Sequence, residues 1–165
     1  MTSLIKIVSA VLIGIVFVLP SVASADFTIT EIMFDPKDSD SSAGSEWIEV
    51  KNEGSEAVDL TTWLFFEANT NHGITSIEGG SEIPAGGYAV ISRDTTAFKN
   101  FFTGFSGPLF KASFSLSDNE TLGLKNDKDG VILSSITYTS DWGAKNDGNS
   151  LQKSGTAWIA VAPTP

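Results

Sequence analysis

Carboxylates are the side chains of this 165-residue sequence best suited to chemistry, and their spacing restricts what that chemistry is. Asp35, Asp38, Asp40 and Glu46 bracket one loop rich in Asp, Ser and Gly. Oxygen ligands at short intervals suit calcium, so these four make a speculative calcium loop, and no other cofactor is expected. A second acidic turn holds Asn126, Asp127 and Asp129. It is no EF-hand: with Gly130 on the invariant glycine, Lys125 takes the first ligand position and Ile136 the last. Asp129-Gly130 is more simply a hairpin turn. Glycoside hydrolysis needs two carboxyl groups facing each other across a bond. Glu46 and Glu49 stand three apart, which on a strand means opposite faces, and Glu31 is a cross-strand residue that could complete a pair. Solvated or capping carboxylates are the simpler reading throughout.

Nucleophilic catalysis finds little support. His72 is the single histidine, set in Asn71-His72-Gly73, and reads as a surface turn residue. No G-x-S-x-G elbow is present, and there is no cysteine, which removes thiol nucleophiles, disulfides and Cys-based zinc sites. Trp47, Trp63, Trp142 and Trp158 are many for this length. Most belong to a core, but Asp141-Trp142-Gly143 resembles a loop tip, so Trp142 is the partner-binding candidate. Asn119-Glu120-Thr121 matches a glycosylation acceptor. No catalytic residue is assigned, and the expectation is that the chain is not an enzyme.

Twenty acids against ten bases give a net charge of −10. Such a surface repels phosphate backbones, so nucleic acid is not an expected partner. At the N-terminus, Lys6 precedes the apolar run Ile7–Leu19, followed by Pro20 and Ala23-Ser24-Ala25. This order is that of a secretory signal peptide, assigned to residues 1–25. A secreted, periplasmic or cell-surface location follows, with no membrane span expected after cleavage. Residues 26–162 then form one domain, and 163–165 (Pro-Thr-Pro) start a linker or end the chain.

Those side chains need elements to position them. The mature sequence reads as short alternating strands with regular turn signals. Phe27–Phe34 changes parity midway, which predicts a bulge near Thr30-Glu31. Ser45–Lys51 and Ala57–Phe66 read as strands around the turn Asn52–Glu56, and Asn69–Gly73 as a polar turn. Tyr88–Ser92, Pro108–Ser115, Thr121–Lys125, Val131–Thr139, Ser150–Lys153 and Trp158–Val161 supply further strands. One short helix is expected over 94–102, capped by Asp94 or Thr95, with Phe98, Phe101 and Phe102 plugging one end of the core. The fold class is therefore all-β, a sandwich of about 8–10 short strands.

Four pieces in order carry a family likeness: Ile29–Pro36 (ITEIMFDP), Glu46–Asn52 with Val58-Asp59-Leu60, Ile83–Ile91 (IPAGGYAVI), and Asn149–Gln152 followed by Trp158 and Pro163-Thr164-Pro165. Together they resemble the lamin-tail domain family, in its bacterial exported form. The resemblance implies an immunoglobulin-like β-sandwich and no known active site, so no functional residue is carried over. It further implies an interaction or structural module that presents loops and sheet edges to a protein or cell-envelope partner. The alternative it leaves is a calcium-binding accessory domain, or a fragment of an extracellular hydrolase or nuclease.

Overall fold

In β1 (Phe27–Met33), Phe27 and Ile29 point inward. A register shift between Ile29 and Glu31 against β2 (Trp47–Asn52) returns Ile32 to the same face. The bulge expected near Thr30-Glu31 is thus present, and it leaves Glu31 and Met33 outside opposite Glu49 and Trp47. A computed structural model of the chain describes residues 27–37 and 45–165. The leader assigned to 1–25 lies outside the described residues, as do Asp38 and Asp40.

The remaining strands are β3 (Val58–Asp59), β4 (Leu64–Glu67), β5 (Thr70–Gly73), β6 (Thr75–Glu78), β7 (Glu82–Ile83), β8 (Tyr88–Ser92), β9 (Leu109–Lys111), β10 (Asn119–Lys125), β11 (Ser134–Thr139), β12 (Ser150–Ser154) and β13 (Ala157–Val161). Helix α1 (Thr95–Phe101) joins β8 to β9. One sheet has seven strands in the order β13-β12-β1-β2-β8-β9-β6, and a second has four, β11-β10-β4-β5. A two-stranded pair, β3-β7, completes them. Ile48, Val50, Ile91 and Leu151 of the large sheet meet Phe65, Leu122, Leu124 and Tyr138 of the small one in a single buried core. This is an immunoglobulin-like β-sandwich, with more and shorter strands than expected.

Several expectations need correction. The Phe98, Phe101 and Phe102 stripe does not plug an end of the sandwich. Strands β8 and β9 pair in parallel, and parallel neighbours need a crossover that passes over a sheet face. Helix α1 is that crossover. It buries Phe98 on the outer face with Met33, Trp47, Val90 and Leu109, while Phe101 is left exposed. Asp94 caps the helix through the N–H groups of Thr96 and Ala97. Of the Asn69–Gly73 stretch, Thr70–Gly73 is strand β5 and only Asn69 belongs to a turn. The turn is the two residues before it, Ala68 and Asn69, with φ of 46° and 61°. Positive φ at both centres suits the right-handed twist of a tight hairpin. His72 therefore sits half-buried in a strand rather than on a surface turn. The stretch 108–115 keeps only Leu109–Lys111 as strand, and 131–139 only Ser134–Thr139, with Val131 exposed. Ala57–Phe66 is interrupted at Leu60–Thr62 by a 3₁₀ turn, which Asp59 caps through the Thr61 N–H.

Among the described residues, no helix is long and apolar enough to cross a membrane.

Candidate functional site

Alternation along β1, β2, β8 and β12 sends one set of side chains into the core and the other to the outer face of the large sheet. Helix α1 and the loop after it cover one half of that outer face, where Trp47 packs edge-on to Phe98 and Phe102. Over the other half lies a trough of about 520 Å³. Its walls include Glu31, Glu49, Tyr88, Phe105, Gln152 and Thr164.

Glu31 and Glu49 are register partners across β1 and β2, so the cross-strand pair of acids that the sequence allowed does form. Like charges set directly opposite destabilise a sheet unless something compensates. Glu31 is compensated by neutral donors. Its Oε1 accepts from Ser150 Oγ at 2.5 Å, from Gln152 Nε2 at 3.2 Å and from the Thr164 N–H at 3.0 Å. Its Oε2 accepts from Thr164 Oγ1 at 3.3 Å. Four donors around a buried carboxylate leave little lone-pair capacity for a substrate. Glu49 is more open and accepts one short bond from Thr30 Oγ1, at 2.5 Å. Burial raises its carboxyl above the usual range, the Thr30 bond opposes this, and the Glu31 charge adds to the rise.

The C-terminal stretch forms one rim of the trough. Gln152 Nε2 donates to Ala162 O at 2.8 Å, and Thr164 is tied to Glu31 as above. Pro163-Thr164-Pro165 is therefore docked on the sheet. Tyr88, half exposed, stands at the other rim with Lys51 Nζ 5.8 Å from its ring centre. An exposed aromatic ring, a carboxylate and a side-chain amide around one concavity are groups that recognise a partner.

The residues singled out from sequence fall elsewhere. Asp35 pairs with Lys145 through a single parallel backbone β-bridge, and its carbonyl accepts from the Asn146 N–H at 3.0 Å. Glu46 is buried: Oε1 meets Arg93 Nη1 at 3.1 Å, and Oε2 accepts from the Leu116 N–H at 2.9 Å. Asp38 and Asp40 lie outside the described residues, so the four are not seen together. Among the described residues, no three His, Asp or Glu side chains are placed to hold a metal ion. Trp142 ends a 3₁₀ turn, Ser140–Trp142, and is 38 % exposed, but it does not line the trough. Tyr88, Phe105, Gln152 and Thr164 were missed. Parity outward from Glu49 could have found Tyr88, but nothing local marks the other three, which arrive from distant parts of the chain.

No curated protein and no solved structure matches the chain. The family model described as Lamin Tail Domain matches residues 20–140, and the chain belongs to that family.

Proposed function

We propose that this chain is a non-catalytic interaction module, exported from the cell, that receives a protein or cell-envelope partner in the outer-face trough. The fate of the acids carries this reading. A two-carboxylate hydrolase needs both groups turned toward substrate. Here Glu31 is committed to Ser150, Gln152 and Thr164, and Glu46 to Arg93 and Leu116. What is left in the trough is a recognition surface with one open acid.

A photo-cross-linking residue placed at position 88 of the full chain, incubated with an envelope fraction, tests this. The expected result is a discrete adduct that unlabelled protein competes away, with none from the same probe at the exposed Glu56, which does not line the trough. Cleavage of glycan or peptide substrates that Glu49→Gln abolishes would overturn it. The calcium alternative has its own test. A ion bound only by the native state raises the melting temperature. Because Glu46 is held by Arg93 and the Leu116 N–H, the expected outcome is unchanged melting in chelator and in excess calcium.

A further inference from the structure

The ladder between β4 and β10 stops at the Phe66–Gly123 pair. Past that point the strands part. A cleft of about 250 Å³ lies between Phe66, Ala68 and Asn69 on one side and Asn119, Glu120 and Thr121 on the other. Glu67 shares a parity with Phe65, and Glu120 with Leu122 and Leu124, so both acids point toward the core side. Glu67 is 5 % exposed, and its Oε2 has no hydrogen-bond donor. His72 Nε2 lies 3.0 Å from Oε1, off the line of a hydrogen bond.

Glu120 reaches across the parting to Glu67 and also accepts from the backbone N–H groups of Ser117 and Ala68. Burial first, then the contact with Glu67, push its carboxyl up to about 7. Two carboxyl groups held in contact cannot both ionise cheaply, so one keeps its proton. A protonated Glu120 supplies the donor that Glu67 Oε2 otherwise lacks.

We propose that Glu67 and Glu120 share one proton across the gap between β4 and β10, and that this proton is a pH-sensitive clasp holding the β4–β5 hairpin against the sandwich. Losing it sets two negative charges against each other where no backbone pair binds the strands. The surroundings do not offset this. From β11, Tyr138 stands opposite Glu120 with its hydroxyl turned to Ser117 O, 2.5 Å away. Asp118 is tied to Lys145, and Glu46 to Arg93. Among the described residues, no lysine or arginine pairs with Glu67 or Glu120. His72, from β5, is the basic side chain that faces the pair, its Nε2 3.0 Å from Glu67 Oε1. The carboxyl pair sets the direction: acid closes the clasp and base opens it.

Carboxyl-carbon NMR titration and amide exchange on the full chain test the clasp. One glutamate carboxyl should titrate near pH 7 and vanish from the titration in Glu120→Gln. Amide protection across Thr70–Gly73, corrected for intrinsic rates, should fall about tenfold between roughly pH 6 and pH 8. Glu120→Gln places a permanent amide donor on Glu67, so in combination with His72→Gln, which removes the imidazole beside Glu67, protection should stay high and flat over that range. Glu67→Gln donates to Glu120 instead and should flatten it equally. Every glutamate titrating below about pH 5.5, flat protection in the unaltered chain, or a pH dependence that survives both substitutions would each overturn the proposal.

Discussion

Asn52 shows how much one buried amide can organise. Its Nδ2 donates to the carbonyls of Glu56, Ile83 and Pro84 at 2.8, 2.9 and 3.2 Å, and its Oδ1 accepts from the Gly54 N–H at 2.9 Å. The side chain thus joins the turn after β2 to the strand-end at β7. Asn52→Ala strands these carbonyls, and the expected loss is about 1–3 kcal/mol in denaturant unfolding. Glu31 plays the same part at the C-terminal end. Glu31→Ala removes the acceptor for the Thr164 N–H, so that amide should lose its protection from exchange while the strand amides of β1 keep theirs. Equal protection at Thr164 in both proteins would show that Glu31 does not hold the tail. The sequence marked Asn52 only as a turn residue and Glu31 only as a possible pair member. Their partners lie 31 and 133 positions away, beyond the reach of any local pattern.

Elements in this sandwich are set by parity and by close approach. A Cβ on Gly123 of β10 would lie 2.2 Å from Ile132 Cγ2 and 2.7 Å from Ser134 O. One of those atoms is backbone, so the neighbour cannot simply turn aside. Gly123→Ala should cost about 1–3 kcal/mol by overpacking, read as a lower denaturation midpoint at constant slope. Helix α1 illustrates the limit of periodicity. The spacing of Phe98, Phe101 and Phe102 correctly announced an amphipathic helix, yet it could not say which surface the helix covers. That was decided by the parallel pairing of β8 with β9, a long-range choice that requires a crossover.

Across the whole molecule, charge links stability to pH. The native Glu120 carboxyl holds its proton up to about 7, against an ordinary value of 4.5 for an unconstrained glutamate. Between these values the native state binds a proton that the unfolded chain has released, so stability falls as pH rises through that window. The stabilisation is complete below the unfolded value and gone above the native one. A net charge of −10 acts the same way, through self-repulsion that grows as acids ionise. The melting temperature should therefore be higher near pH 5 than near pH 8, and Glu120→Gln should narrow the difference. A melting temperature that rises steadily over the same interval would contradict this assignment.

Alternating apolar residues, turn signals and the four family segments were enough to determine an immunoglobulin-like sandwich with one helix, and even the bulge in β1. These are local quantities: a parity change at Ile29-Thr30-Glu31-Ile32 is visible to anyone counting by twos. Which acids remain open, where α1 lies, and that the Pro-Thr-Pro end is docked were decided only in three dimensions. Each depends on strands far apart in sequence becoming neighbours, as β1 does with β12. A carboxylate reads the same in sequence whether it faces water, a serine hydroxyl or a second carboxyl. Its chemistry is fixed by the donors and charges that folding brings to it.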